Sequence, residues 1–368
     1  MKFIVEKAFF QTSLGKIQGI AERRSTIPIL SNILISGEKN RLNIVATDLE
    51  IGVKESIEAN IMEKGDICIP AKKLYDAVRE LSEEKVEIQR EGNFWISIKA
   101  GKTIFSLPGV DPDEFPKFPD TEGANYFNLR TSDLLGMVEK TVFAASTEES
   151  RFNLNGIYME KVKEENREFL RMVATDGHRL SKIDKEVEST LDKGVIIPRR
   201  GLIELRRILG EEEEEVAISI KDNNCIFKTN RNTVVVRLLE GEYPDYQQVI
   251  PTANDKLILV NKKEFMGSLR RAQVIASEKG EGVRFSIKGG LMEINTGGPD
   301  VGSVQEEIKI DYEGDPLEIS FNARYLLDVL NIMDADEVRV ELKEELIAGV
   351  IRPVDGEAFL YVIMPMRP

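Results

Sequence analysis

The sequence predicts an α+β fold built from three tandem copies of one module. Two observations carry this reading. Landmarks recur at a fixed offset of 128 residues: Val45-Ala46-Thr47-Asp48 returns as Val173-Ala174-Thr175-Asp176, Ile69-Pro70 as Ile197-Pro198, and Glu114-Phe115-Pro116 as Glu242-Tyr243-Pro244. Each copy also runs through helical and alternating periodicities in the same order. A fainter third copy shows in Phe321-Asn322-Ala323-Arg324-Tyr325-Leu326-Leu327, where the basic second stretch of the other copies stands. Internal repeats decide the architecture of a chain. The 368 residues divide into modules of roughly 120, an ordinary domain size. Pro-bearing acidic segments near 111–120 and 239–251 set the expected boundaries at 1–120, 121–247 and 248–368.

In the first module, residues 8–20 place Phe9, Phe10, Leu14, Ile17 and Ile20 at helical spacing. Strands are expected at 33–36 and 41–46 about a turn at 38–40, then around 51–59 and 66–69. A second helix over 71–81 would bury Leu74, Ala77, Val78 and Leu81, and strands at 86–89, 94–99 and 103–107 close the copy. The second module repeats the order, with helices at 134–143 and 202–209 and strands at 157–159, 170–174, 216–220, 225–228 and 234–239. The third has helices at 263–275 and 323–333, and strands at 338–342, 347–351 and 358–364. Period-two alternation dominates the strands, as in antiparallel sheets with one wetted face. The run of five glutamates at 211–215 reads as a solvated turn after a helix.

Composition narrows the chemistry. Cys68 and Cys225 lie in apolar strand contexts, too few for a disulfide framework or a cysteine zinc site. One histidine cannot supply a histidine triad or most zinc centres. Gly101-Lys102-Thr103 resembles the end of a phosphate-binding loop, but Ile96 stands where that loop needs glycine. No apolar run approaches the ~18 residues of a membrane span, and Met1-Lys2-Phe3-Ile4-Val5-Glu6 lacks a signal-peptide layout. A cytoplasmic protein without cofactor or metal is expected.

The net charge of -14 is unevenly spread. Residues 7–24, 198–209 and 261–273 each carry +3 and 71–82 carry +1, whereas 131–141 carry -1 and 323–333 are neutral. Together these helical stretches hold +9 and leave -23 to the remainder. Basic helices on an acidic chain suit a surface that faces a polyanion and repels it elsewhere, through phosphate contacts that carry no sequence information.

Thr175-Asp176-Gly177-His178-Arg179-Leu180 and the terminal Tyr361-Val362-Ile363-Met364-Pro365-Met366-Arg367, with Arg24-Ser25-Thr26-Ile27-Pro28-Ile29-Leu30 and Leu154-Asn155-Gly156, make the whole chain resemble the bacterial DNA polymerase III beta subunits, the sliding clamps. The resemblance implies a non-enzymatic processivity factor for DNA replication. Two chains would close head to tail into a ring, with helices inside and sheets outside, around double-stranded DNA of any sequence. Its partners would be the polymerase III core subunit, the clamp loader and other replication and repair proteins that carry a clamp-binding motif. The matching DNA-facing positions are Arg24, Lys72, Arg79, Arg199 and Arg200; those of the dimer interface are Phe105, Val274 and Ile275. A peptide cleft between the second and third modules would use Leu154, Thr175, Gly177, His178, Arg179, Leu180, Pro244, Val249, Asn322, Tyr325, Val362, Ile363, Met364, Pro365, Met366 and Arg367. Gln248, where some relatives carry a basic residue, and Pro368, where leucine is common, depart from the pattern.

The cleft is chemically coherent on its own terms. Met364 and Met366 offer adaptable apolar surface, and Gly177 permits a tight Asp-Gly turn. Two rival readings stand beside the clamp. One is a hydrolase using Thr47/Asp48 or Thr175/Asp176, which the duplication weakens because a twice-repeated Thr-Asp at a strand end is a turn signal. The other is a peptide-binding scaffold with no DNA role, against which the charge on the helices counts.

Overall fold

The computed structural model describes residues 1–21, 27–148, 150–210, 214–276, 282–298, 302–354 and 358–367. The first module runs β1 (Lys2–Glu6), α1 (Lys7–Ala21), β2 (Asn32–Glu38), β3 (Arg41–Thr47), β4 (Ile51–Glu58), β5 (Asn60–Glu63), β6 (Gly65–Pro70), α2 (Ala71–Glu80), β7 (Lys85–Arg90), β8 (Trp95–Ala100) and β9 (Thr103–Pro108). The second runs β10 (Phe127–Arg130), α3 (Thr131–Val142), β11 (Gly156–Glu164), β12 (Arg167–Thr175), β13 (Arg179–Glu186), β14 (Val195–Pro198), α4 (Arg199–Leu209), β15 (Glu215–Lys221), β16 (Asn224–Lys228) and β17 (Asn232–Arg237). The third runs β18 (Lys256–Asn261), α5 (Lys262–Ala276), β19 (Val283–Lys288), β20 (Leu291–Gly298), β21 (Gly302–Asp311), β22 (Leu317–Phe321), α6 (Ala323–Ile332), β23 (Glu337–Leu342), β24 (Gly349–Pro353) and β25 (Phe359–Ile363).

One backbone bond marks the module in triplicate. The first amide of each leading helix donates to a carbonyl just before a later strand: Lys7 N to Glu84 O at 2.7 Å, Thr131 N to Glu214 O at 3.0 Å and Lys262 N to Asp336 O at 2.8 Å. In the outer two modules the lysine side chain also caps the second helix. Lys7 Nζ donates to Arg79 O at 3.0 Å and to Leu81 O, and Lys262 Nζ donates to Met333 O at 2.5 Å. A cation there meets carbonyls left without intrahelical donors.

The chain forms two compact units, and the second module is divided between them. One unit comprises Met1–Leu134, Ser189–Leu191 and Arg200–Leu238; the other comprises Leu135–Glu188, Asp192–Arg199 and Leu239–Pro368. The first unit holds a five-stranded sheet, β5-β1-β7-β8-β9, and an eight-stranded sheet, β10-β15-β16-β17-β4-β3-β2-β6. Phe10, Leu14, Ile17 and Ile20 of α1 are buried there, Phe10 edge-on to Phe3 at 6.3 Å. The second unit holds one twelve-stranded sheet, β14-β11-β12-β13-β25-β24-β23-β18-β21-β20-β19-β22.

Within each unit the last strand of one module pairs antiparallel with the strand after the Thr-Asp turn of the preceding module. β17 lies on β4 with Val234 opposite Val53, and β25 lies on β13 with Tyr361 opposite Ser181. The corresponding last strand of the first module, β9, has one neighbour among the described strands, β8. β21 pairs with β20 along its length but meets β18 only at Ile310 and Asp311, so among the described strands residues 302–309 have one unpaired edge.

The six helices and most expected strands stand close to their sequence positions. Helices α3 and α4 begin three residues earlier than the apolar pattern announces, because their polar first turns carry no periodic signal. β5, β10, β13, β14 and the strands of the third module before α6 were not legible as separate elements. Of the five-glutamate run, 211–213 lie outside the described residues and Glu215 opens β15. Both cysteines are buried free thiols, and burial pushes Cys68 up to about 12. Among the described residues, no helix is long and apolar enough to cross a membrane.

Candidate nucleic-acid and peptide interfaces

The repeated Thr-Asp pairs are spent on turns. In the first module Thr47 Oγ1 accepts from Leu49 N at 3.0 Å, and Asp48 Oδ1 accepts from Glu50 N and Ile51 N at 3.0 and 2.8 Å. In the second, Thr175 Oγ1 accepts from Gly177 N at 3.1 Å, and Asp176 Oδ1 accepts from His178 N and Arg179 N at 2.9 and 3.1 Å. Identical bonds at two sites make these carboxylates structural acceptors. Gly177 has φ +88°, and a Cβ there would stand 2.9 Å from Arg151 Nη1; Leu49 holds the matching place at φ +76°.

Around the second turn the chain assembles a continuous set of contacts. Arg179 is buried, and all three of its nitrogens donate: Nε to Asp176 Oδ2 at 3.0 Å, Nη1 to Asp328 Oδ2 at 2.7 Å and Nη2 to Phe143 O at 2.7 Å. Its guanidinium lies 4.3 Å from the Tyr325 ring centroid and 5.4 Å from that of Phe143. Burial alone would lower its pKa, but nearby acidic and phenolic groups more than offset this and hold it above the ordinary arginine value. Phe143 stacks on Tyr361, whose buried hydroxyl donates to Tyr325 O at 3.0 Å. Burial drives the Tyr361 phenol well above the usual tyrosine range.

The C-terminal segment is tied to the same place, with Met364 N donating to His178 O at 2.9 Å and Met366 N to Ser320 O at 2.8 Å. Asn322 caps α6 by accepting from Arg324 N at 2.9 Å. The expected cleft residues fall into three depths. Gly177, His178, Pro244, Val249, Met364 and Arg367 are exposed; Leu154, Thr175, Asn322, Tyr325, Pro365 and Met366 are half-buried; Arg179, Leu180, Val362 and Ile363 are buried. Leu180 and Val362 join Val173, Tyr246, Ala348, Val350 and Leu360 in one apolar cluster beneath the surface.

The basic residues are less uniform. Lys72 and Arg79 are exposed on α2, Arg79 within 3.4 Å of Asp76 and 3.0 Å of Glu80. Arg199 is half-buried and donates through Nε to Val142 O at 3.1 Å. Arg200 is drawn onto Asp48, with Glu50 at 3.6 Å. Arg24 lies outside the described residues. Lys73 on α2 and Lys263 and Arg270 on α5 are as open as Lys72, and helical position was the only signal for them. Of the expected interface residues, Phe105 is half-buried on β9 beside Ile104, which is 62% exposed. Val274 is 69% exposed near the end of α5, next to half-buried Ile275.

Family models of the DNA polymerase III beta subunit match the chain three times: the N-terminal domain at residues 1–119, the central domain at 128–245 and the C-terminal domain at 247–367. The beta sliding clamps of Pseudomonas aeruginosa and Caulobacter vibrioides are 33% and 35% identical to it, each over 100% of both chains. The crystal structure of a DnaN sliding clamp from Bartonella birtlesii bound to griselimycin matches with a TM-score of 0.95 at 38% identity, covering 100% of both chains. Tandem αβ modules, two of them closed by the same Thr-Asp turn, define a protein of the clamp fold. The chain belongs to the DNA polymerase III beta subunit family, the bacterial sliding clamps, and is a processivity factor that tethers the polymerase.

Proposed function

We propose that two copies of this chain close head to tail into a ring that encircles duplex DNA. Three modules at 1–120, 121–247 and 248–368 supply each half. One observation carries the closure. The strand that ends a module is taken up by the preceding module's sheet at β4/β17 and β13/β25, while β9 and the open length of β21 are the pair of this type left over. A second copy completes that pairing twice, and a head-to-tail contact that closes makes a ring rather than a fibre. Phe105 on one side and Val274 and Ile275 on the other supply apolar contact at the joint.

Retention then comes from linkage, and weak phosphate contacts by the basic helices leave the ring able to slide. Arg24, Lys72, Arg79 and Arg199 are assigned to those contacts, whereas the expected Arg200 is held on Asp48 and is withdrawn from them. The surface between the Thr175–Leu180 turn, the 244–249 connector and the Val362–Arg367 tail takes short motifs of the polymerase core, the clamp loader and other replication or repair proteins. The cell compartment is the cytoplasm.

Loaded onto nicked circular DNA, the protein should stay bound through gel filtration and be lost when the circle is cut. Equal retention on both forms would remove the linkage. Deleting 364–368 should abolish binding of fluorescein-labelled griselimycin, the ligand of the Bartonella clamp, with the dimer mass by light scattering unchanged. Undiminished affinity would remove the cleft.

A further inference from the structure

On one face of the second module's sheet, three charged residues stand directly opposite one another on β11, β12 and β13: Glu160, Arg171 and Asp184. Arg171 is 6% exposed. Its Nε donates to Asp184 Oδ1 at 2.6 Å and its Nη2 to Asp184 Oδ2 at 2.8 Å, with Glu164 Oε1 also at 2.8 Å. Nη1 donates to the Tyr246 hydroxyl at 3.3 Å, which in turn donates to Glu160. Lys182 Nζ reaches Asp184 at 2.9 Å. Burial would raise the Asp184 carboxyl, but bonds from Arg171 and Lys182 outweigh it and hold the group below the usual range.

In the first module the three facing positions carry no charge. Ser36, Asn43 and Ser56 stand opposite one another on β2, β3 and β4, and the Ser56 hydroxyl donates to Asn43 Oδ1. Phe118 stands 128 residues before Tyr246, and a Cβ on Gly52 would meet its ring at 3.1 Å. The fold therefore does not require the ion network, and a buried ion pair is by itself weak evidence for stability.

Tyr246 shows what the network holds. It opens the short 3-10 turn Tyr246–Val249. Asp245 caps that turn, accepting from Gln247 N at 3.2 Å and Gln248 Nε2 at 2.9 Å. Just upstream, Tyr243 stacks on Tyr158 with ring centroids 5.0 Å apart. The connector is pinned at Tyr243 and Tyr246, so Pro244 and Val249 stay outside, Val249 45% exposed. We infer that the Glu160–Arg171–Asp184–Tyr246 network is a positioning device that holds the 243–249 connector as a ready-made wall of the peptide cleft. The inference rests on the cleft reading above. Without the network the wall is in place only part of the time, and apparent affinity falls by that fraction.

The test uses the full-length chain and labelled griselimycin in stopped flow. The variant R171N/D184S installs the first module's Asn-Ser pair, and Y246F removes only the hydroxyl. If the wall then stands for about a tenth of the time, the association rate falls roughly tenfold for the double variant, with dissociation little changed. Y246F should lose about threefold by the same route. The mirror variant N43A/S56A in the first module should leave both rates native. Native association rates in Y246F and in the double variant would overturn the inference; should the double variant fail to fold, Y246F decides alone. Undiminished binding after deletion of 364–368 would instead remove the cleft reading, so the two failures are distinguishable.

Discussion

The junction of the first and second modules and that of the second and third are built on the same plan and finished differently. Both set a Thr-Asp turn beside an arginine, and both receive the last strand of the following module. At the first, Arg200 meets Asp48, but its Nε and Nη2 are buried without a hydrogen-bond partner among the described residues. At the second, Arg179 places all three nitrogens, bridges Asp176 and Asp328, and lies under two aromatic rings. The first junction has Leu49 at φ +76° and a neutral Asn43–Ser56 pair; the second has Gly177 and the Arg171 network. The segment after β17 leads into β18 of the next module, whereas the segment after β25 is tied back to the second turn, with Met364 N donating to His178 O at 2.9 Å. The additional hydrogen bonds and ring contacts are concentrated around the second turn.

The comparison can be broken most sharply at the arginines. Arg179→Met strands two carboxylates beside a buried site and should cost about 3–5 kcal/mol in chemical denaturation. Arg200→Met removes a poorly aligned partner and should cost less, about 1.5–3 kcal/mol. Equal losses would mean that the two junctions are energetically alike despite their geometry. The turn glycine offers a smaller contrast. Gly177→Ala puts a Cβ against Arg151 in a left-handed conformation and should destabilise by about 1–3 kcal/mol. Leu49→Gly relieves the same backbone strain and should stabilise by about 1 kcal/mol or be neutral. A stabilising Gly177→Ala would show that the turn conformation is not held by the contacts described.

Much of the fold was legible because a fixed offset needs no structural knowledge. Residues 128 apart share one environment, so two weak patterns reinforced each other, and helices with apolar faces such as Leu74-Ala77-Val78 announced themselves. The cleft was legible through the family resemblance, with Met364-Pro365-Met366 and the Asp-Gly turn as its local support. Arg171 was missed because a single charged residue in a strand reads as wetted face, Asp184 because its strand β13 was not expected, and Tyr246 because it lies in a connector. The offset that revealed the modules held the missing signal: at 43, 56 and 118 the first module has Asn, Ser and Phe. The basic helices were visible as charge, but not which cations are already spent on a neighbouring carboxylate, as Arg200 is on Asp48.

Periodicity, the repeat and turn chemistry are local properties of the chain, and the sequence alone determined three αβ modules, their order and the Thr-Asp turns of the first two. Which strand edges are satisfied, which depth each cleft residue occupies and which charges pair depend on residues far apart in the chain. Arg179 and Asp328, or Arg171 and Tyr246, meet only because antiparallel pairing brings β12, β13, β25 and the connector together. Only the tertiary structure could decide those, because a hydrogen bond or ion pair is set by distance in space and not by separation along the backbone.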